Sequence, residues 1–263
     1  MVRLAKPVEV NFEGSQGHQI AAKIDMPVGE PRGYALFAHC FTCSKDFPTT
    51  ARVSKGLAKR GIAVLRFDFT GLGDSCGDFS ETNFSSNVED ILAAADFMRE
   101  HYQAPQVLIG HSLGGAAVLA AAGRQKIPEL RAVATINAPS DPAHVSHHFK
   151  DHLDEINEKG EATVDLVGRP FVIKKQFVEN IESQRLKVCI GKKKQPLMVM
   201  HAPTDTVVGI ENAGEIYAAA KHPKNFISLD GADHFLSDPQ DADYVAEVLS
   251  AWLLRYICAD CYV

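Results

Sequence analysis

The sequence VLIGHSLGG, residues 107–115, joins an apolar run directly to a glycine-rich turn. Its second part has the form G-x-S-x-G, in which a serine occupies a sharp turn between a strand and a helix. Such a turn needs small residues two positions before and after Ser112, and Gly110 and Gly114 supply them. A helix-forming run, residues 113–122, follows. The stretch indicates a nucleophile elbow; the alternative is that Ser112 only caps the helix of an ordinary strand–turn–helix unit.

Composition and charge restrict the class of protein. The chain has 263 residues, of which 46% are hydrophobic, and this is enough for one large core. The net charge of −6 disfavours nucleic acid or an anionic membrane as the main partner. The basic residues Arg3 and Lys6 precede no apolar run of signal-peptide type, and no stretch approaches the roughly 18 apolar residues that a membrane span needs. We therefore expect a cytoplasmic protein, and the sequence does not indicate its oligomeric state.

Six cysteines include two pairs with C-x-x-C spacing, Cys40/Cys43 and Cys258/Cys261. The two pairs lie at opposite ends of the sequence, which disfavours a shared zinc site. A redox motif of the thioredoxin type should open a helix, whereas Pro48 marks a later helix start. The sequence therefore favours free thiols and predicts no metal and no cofactor.

Predicted strands and helices alternate along most of the chain. Strands are predicted at residues 8–13, 19–25, 34–38, 62–67, 107–109, 132–136, 197–201 and 226–229. Helices are predicted at residues 48–59, 86–102, 113–122, 210–220 and 244–256. The helix at 86–102 would begin with a capping box of Ser86 and Glu89. After an antiparallel opening pair, the alternation predicts a mainly parallel sheet with helices on both faces and with its functional loops at the carboxyl ends of the strands.

A long interval between two core strands breaks this alternation. We predict an α/β core with one insertion, at residues 1–139 and 196–263 for the core and 140–195 for the insertion. The insertion would start with a polar helix capped by Ser140 or Asp141, continue as a hairpin around Gly168, and end in a second helix at 176–183. It is too long for a plain connection, so it is interpreted as a lid over the active site. An extra packing layer is the alternative.

Two later loops supply partners for the serine. A serine hydroxyl needs a base to remove its proton, and the base needs a third group to orient it. Asp205 follows the strand at 197–201, and His234 follows the strand at 226–229. Both therefore belong to the same edge of the sheet as Ser112, in the chain order serine, acid, histidine. We predict Ser112, Asp205 and His234 as the catalytic residues.

Other acids and histidines are less suitable. Asp141 follows the strand at 132–136 and is the main rival acid, whereas Asp233 adjoins the base and would have to turn back on it. His222 precedes a strand and so lies at the wrong edge. His201 ends a strand but comes before the acid in the chain.

The oxyanion of an acyl-transfer reaction needs preorganised N–H donors. One should be the backbone N–H of Leu113, at the positive end of the helix that follows the serine. The other should come from the loop after the strand at 34–38, where we predict the N–H of Phe41. Cys40 then stands where glycine is common.

Longer strings carry a family resemblance. They are HCFTCSKD at 39–46, LRFDFTGLG at 65–73, TNFSSN at 82–87 and GHSLGG at 110–115. Over nearly the whole chain, they resemble the α/β-hydrolase half of bifunctional α/β-hydrolase/OsmC-like proteins. The resemblance implies an α/β-hydrolase fold, a triad of Ser112, Asp205 and His234, and carboxylesterase activity on small esters. Members of that family carry a peroxide-reducing OsmC-like domain after the hydrolase. This chain ends at Val263, either because it is a stand-alone hydrolase or because the second domain is missing from this sequence, and no peroxidase activity is predicted for it.

A second candidate site is a group of histidines in the insertion, at His144, His147, His148 and His152. On an α-helix, the first, third and fourth of these would share one face at four-residue spacing, which can chelate zinc or nickel. A solvated polar face is the simpler interpretation, and it is the one we adopt.

The sequence thus predicts a serine carboxylesterase that acts on a small-molecule ester with small or medium acyl groups. Thioesterases, amidases and acyltransferases use the same three residues and remain alternatives. A binding protein without turnover is the alternative from another class, and the complete set of three residues weighs against it.

Overall fold

The computed structural model describes residues 5–166 and 168–257. The strands are β1 (Val8–Glu13), β2 (Gln19–Asp25), β3 (Gly33–Ala38), β4 (Ile62–Phe67), β5 (Val107–His111), β6 (Ala132–Ile136), β7 (Glu161–Leu166), β8 (Arg169–Lys174), β9 (Leu197–His201) and β10 (Lys224–Ser228). The α-helices are α1 (Pro48–Ala58), α2 (Phe84–His101), α3 (Leu113–Arg124), α4 (Leu153–Lys159), α5 (Lys175–Glu182), α6 (Leu186–Lys192), α7 (Glu211–Ala219) and α8 (Pro239–Ile257). Two 3₁₀ helices cover Phe79–Glu81 and Pro142–His152.

Eight strands form one sheet in the order β1-β2-β4-β3-β5-β6-β9-β10. β1 pairs antiparallel with β2, and β2 pairs antiparallel with β4. From β4 to β10 every neighbouring pair is parallel. The predicted antiparallel opening pair and mainly parallel sheet are confirmed. The carboxyl ends of β3, β5, β6, β9 and β10 consequently face the same edge, where the candidate site lies.

Helices cover both faces of the sheet, each over its own apolar core. On one face α1 and α8 pack together, and Val53 and Leu249 belong to their core. On the other face α2 and α3 pack together over a larger core that includes Ile91 and Val118. The central strands are buried along their whole length, as expected for parallel strands with helices on both sides.

The predicted start of α2 is wrong by two residues. The capping box is formed by Asn83 and Ser86, whereas Ser86 and Glu89 were predicted. The Asn83 side chain accepts a hydrogen bond from the Ser86 N–H at 3.0 Å, and the Ser86 hydroxyl accepts one from the Asn83 N–H at 2.9 Å. Asn83 has an extended backbone and a short amide side chain, which suits the position before a helix, so the helix starts earlier.

Between β6 and β9 the chain leaves the sheet. The predicted hairpin is confirmed as β7 and β8, which pair antiparallel on either side of residues 167–168. Asp141 caps the first helix, as one of the two predicted options, by accepting a hydrogen bond from the Ala143 N–H at 2.9 Å. That helix is a 3₁₀ helix interrupted at Phe149, and α4 and α6 were not predicted. Both are only seven residues long, and so short a segment does not show the helical periodicity of apolar residues on which the prediction depends.

Candidate active site

Ser112 lies between β5 and α3 in the conformation expected of a nucleophile elbow. Its φ of 53° and ψ of −127° define a backbone conformation that residues other than glycine rarely adopt. A Cβ on Gly114 would clash with the carbonyl oxygens of Ala38 and His39, and one on Gly110 would clash with the Gly114 backbone. The glycines at these two positions are therefore required by close backbone approach.

The structure brings the three predicted site residues into one hydrogen-bonded chain. Ser112 Oγ lies 3.0 Å from His234 Nε2, and His234 Nδ1 lies 2.7 Å from Asp205 Oδ2. All three are nearly buried, with at most 9% of any of them exposed. The Ser112 side chain makes no capping hydrogen bond to α3, so the interpretation of this serine as a simple helix cap is wrong.

Asp205 is held as a carboxylate by its surroundings. Burial alone would raise its pKa, but the hydrogen bond with His234 and the N–H groups of Val208 and Val207 outweigh burial and lower the pKa. Those two N–H groups donate to Oδ1 at 2.9 and 2.8 Å, which leaves Oδ2 for the imidazole. The rival Asp141 instead caps its own helix at the start of the 140–195 segment. The structure therefore brings Asp205 to His234 and engages Asp141 elsewhere.

Two buried residues that sequence reasoning missed hold the carbonyl of His234. His111 Nε2 donates to this oxygen at 2.7 Å, and Asn137 Nδ2 donates to it at 3.0 Å. Burial, and then the neighbouring His234, lower the pKa of His111 to about 3, so its ring is neutral with the proton on Nε2. Asn137 Oδ1 also accepts a hydrogen bond from the Ala202 N–H at 2.9 Å. Asn137 thus joins the loop that carries His234 to the start of the loop that carries Asp205.

The backbone N–H groups of Phe41 and Leu113 are unpaired within the described part of the chain, as oxyanion donors must be before the substrate binds. Leu113 is the first residue of α3, and Phe41 lies in the loop after β3. Within residues 5–166 and 168–257, neither N–H has a hydrogen-bond acceptor. Unpaired N–H groups of this kind can receive a developing negative charge.

Cys40 and Cys43 form a disulfide, so the expectation of free thiols is wrong for this pair. Thr42, between them, has a left-handed φ of 58°, which turns the chain and brings the two Cα atoms to 5.3 Å. Periodicity cannot predict such a turn. Cys76 and Cys189 are free, and Cys258/Cys261 lie outside the described residues.

A cavity of about 450 Å³ opens onto Ser112 and His234. Its apolar wall includes Phe41, Phe47 and Phe235 from the core. Four residues of the 140–195 segment complete the wall, namely His148, Asp165, Leu166 and Arg169. Desolvation, together with the neighbouring histidines, lowers the pKa of His148, which favours its neutral form. The cavity is thus mainly apolar near the serine and carries polar groups from the inserted segment.

His144, His148 and His152 do not share the predicted α-helical face. These three histidines lie on a 3₁₀ helix, which has about three residues per turn, and the helix is interrupted at Phe149. His144 Nε2 is bound to the carbonyl of Val207 at 2.8 Å, and His152 lies beside Glu155. The part of the chain that the structure describes contains no cluster of three or more residues arranged as metal ligands. Nor does it contain a helix long and apolar enough to cross a membrane.

Comparisons with known proteins agree with this fold. The profile of the serine aminopeptidase S33 family matches residues 29–158. The crystal structure of an esterase domain from a Rhodothermus marinus protein is 50% identical, with a TM-score of 0.78 over 96% of this chain and 100% of that domain. Est1E from Butyrivibrio proteoclasticus with ferulic acid bound shares the fold at 22% identity, with a TM-score of 0.77 over 94% of this chain and 99% of that one.

Among curated proteins, the mouse mitochondrial palmitoyl-protein thioesterase ABHD10 is 34% identical over 108 residues. These residues are 40% of this chain and 34% of that protein, so the match spans about a third of the relative's length. The fold, the elbow and these similarities show that the chain belongs to the α/β-hydrolase family. It is a hydrolase of the esterase or thioesterase type. The finer resemblance to hydrolases joined to an OsmC-like domain stays a prediction.

Proposed function

We propose that this protein is a serine carboxylesterase that hydrolyses small or medium acyl esters through an acyl-enzyme intermediate. The observation that carries the proposal is the hydrogen-bonded chain from Ser112 through His234 to Asp205. The carboxylate of Asp205 accepts a hydrogen bond from the N–H of His234 Nδ1, so Nε2 is free to accept the Ser112 hydroxyl proton. The catalytic roles of all three residues are part of the proposal.

The reaction follows from this arrangement. Ser112 Oγ attacks the ester carbonyl carbon while its proton passes to His234 Nε2. The N–H groups of Phe41 and Leu113 stabilise the oxyanion, and His234 then protonates the leaving alcohol. A water molecule attacks the acyl-enzyme with the same proton transfers and releases the carboxylic acid. No cofactor takes part.

We assign the role of a lid to the segment 140–195. Its support is that three residues of the β7–β8 hairpin and His148 complete the cavity beside Ser112. The segment would then set the size of the acyl group, with Leu166 as its main apolar contribution. Small-molecule esters are the proposed partners. A cytoplasmic location without nucleic-acid or membrane partners stays a prediction from the sequence.

A panel of p-nitrophenyl esters from acetyl to palmitoyl, with a feruloyl ester and a palmitoyl thioester, tests the proposal. We expect kcat/KM to be highest at a small or medium acyl length and to fall at palmitoyl. A thioesterase is the second candidate, because of the similarity to the mouse thioesterase. It would be favoured by a palmitoyl thioester turned over faster than every oxygen ester. Absence of turnover on the whole panel by folded protein would contradict both candidates.

Shortening Leu166 is expected to shift the acyl preference. Leu166→Ala removes apolar volume from the cavity wall, so the ratio of kcat/KM for octanoyl over butyryl ester should rise by roughly tenfold. The control is Val188→Ala, which changes an exposed residue in the same segment and should leave the ratio unchanged. An unchanged ratio in Leu166→Ala would argue for an extra packing layer in place of a lid.

The hydrogen bond from His111 to the carbonyl of His234 is expected to position the base. His111→Leu removes the donor and should lower kcat by about fivefold with little change in KM, because a buried hydrogen bond contributes about 1 kcal/mol. His111→Gln keeps an N–H donor at similar reach and should recover most of the rate. Equal losses in both variants, at equal thermal stability, would contradict this role.

A further inference from the structure

The Cys40–Cys43 disulfide closes a small ring that forms part of the cavity wall beside Ser112. The ring contains Phe41, whose N–H is one of the two proposed oxyanion donors. It is also closed by a backbone hydrogen bond from the Cys43 N–H to the Cys40 carbonyl at 3.2 Å. The position of the Phe41 N–H therefore depends on a ring whose covalent bond can be broken by reduction.

The chain is held firmly on both sides of this ring. Before it, His39 is fully buried, and its Nδ1 donates to the Cys40 carbonyl at 2.7 Å. After it, the N–H and the ammonium group of Lys45 bind the buried carboxylate of Asp68 at 2.5 and 2.7 Å. Arg66 binds the Lys45 carbonyl at 2.6 Å. Opening the disulfide would therefore free residues 40–43 locally, between two fixed points.

The ring also contacts the proposed lid. Arg169 of the β7–β8 hairpin donates to the Thr42 carbonyl at 2.6 Å. The Phe41 ring packs at 5.7 Å from Phe177 of α5, measured between ring centres. A conformational change in the ring would thus alter both the position of the Phe41 N–H and the contacts with the inserted segment.

Both sulfur-bearing residues line the cavity, and Cys43 is only half-buried, so a small thiol can approach the bond from the side of the substrate. We propose that Cys40 and Cys43 form a thiol–disulfide exchange site that sets esterase activity, an inference that rests on the proposed function. A dithiol reductant attacks Cys43 Sγ, the S–S bond breaks, and Cys40 leaves as a thiolate that takes up a proton. The second thiol of the reductant then displaces Cys43, so two electrons and two protons pass to the protein and the reductant becomes a disulfide.

The oxidised form is the active one. The closed ring holds the Phe41 N–H in place before substrate binds, and the reduced loop loses this preorganisation. Removal of a single oxyanion donor lowers kcat by about 100- to 1,000-fold. Because reduction would displace this donor only partly, we expect kcat to fall by about 10- to 100-fold. KM should change little, because the donor acts mainly on the transition state.

The test compares the full chain before and after dithiothreitol. Differential alkylation reports the state of the pair in a single tryptic peptide, residues 33–45, which contains both cysteines. We expect this peptide to change from unalkylated to doubly alkylated as kcat falls, and both changes to reverse with oxidised dithiothreitol. Cys40→Ser/Cys43→Ser should have the low kcat and no response to dithiothreitol. The controls Cys76→Ser and Cys258→Ser/Cys261→Ser should keep the response.

An unchanged kcat when the peptide is doubly alkylated would overturn the inference, as would a peptide alkylated before any reductant is added. A response lost in either control variant would also overturn it. If the double variant does not fold, the inference is decided by the unmodified chain, in which kcat must fall on reduction with dithiothreitol and recover on reoxidation. Ester hydrolysis by the oxidised protein is measured in the same assay, so failure of the redox site can be told from failure of the proposed function.

Discussion

Replacing Ser112 by alanine is expected to lower kcat for a p-nitrophenyl ester by on the order of 10⁵- to 10⁶-fold. In the proposed mechanism, the variant has no nucleophile to form the acyl-enzyme, and the remaining oxyanion donors give only a small residual rate. Because the Ser112 side chain does not cap α3, the loss of the hydroxyl should leave thermal stability nearly unchanged.

The matched control for this variant is Ser44→Ala. Ser44 also lines the cavity, but Ser112 is the serine whose hydroxyl is bonded to His234. The control should keep kcat within about tenfold of the unmodified protein, since no bond to the triad is removed. Equal losses in the two variants would show that the cavity, and not the nucleophile, limits the reaction.

Replacing Asp205 by asparagine is expected to lower kcat by about 10⁴-fold. The asparagine amide can present an N–H to His234 Nδ1 and so favour the tautomer with its proton on Nε2, which cannot accept the Ser112 proton. The new side chain has the same size, and its carbonyl oxygen can still accept from the N–H groups of Val207 and Val208. The protein should therefore fold, and kinetics on the ester panel measure the loss.

Asp141→Asn serves as the comparison, because Asp141 was the rival acid in the sequence. Its carboxylate accepts only the local hydrogen bond from the Ala143 N–H among the described residues, and asparagine is an equally good helix cap. We expect kcat within about threefold of the unmodified protein, as for an ordinary surface change. A larger loss in Asp141→Asn than in Asp205→Asn would reverse the assignment of the acid.

The sheet and the proximity of the site residues could be predicted because both follow from local patterns. Short apolar runs bounded by turns marked the core strands, and parallel strands place their carboxyl ends at one edge. Ser112, Asp205 and His234 each follow such a strand, so their approach required no knowledge of side-chain packing. Among the strands of the large sheet and the helices that cover it, only the ends of elements, such as the start of α2, needed correction.

The features that were missed depend on contacts between distant parts of the chain. His111 and Asn137 act on a carbonyl about a hundred residues away, and their sequence neighbours do not reveal that partner. Asn137 has a left-handed φ of 48°, which asparagine tolerates better than most residues. An asparagine directly after a buried strand was therefore the one sequence signal for a special turn at this position. The Cys40–Cys43 bond likewise depends on one left-handed residue, Thr42.

The most direct test of the central claim is reaction of the folded protein with a fluorophosphonate, followed by mapping of the adduct. A triad-activated serine attacks phosphorus and displaces fluoride, so the account predicts one adduct per chain. It should lie in the tryptic peptide of residues 100–124, whose only serine is Ser112, and it should be absent in Ser112→Ala. An adduct on another residue, or no adduct on protein that still hydrolyses esters, would contradict the account.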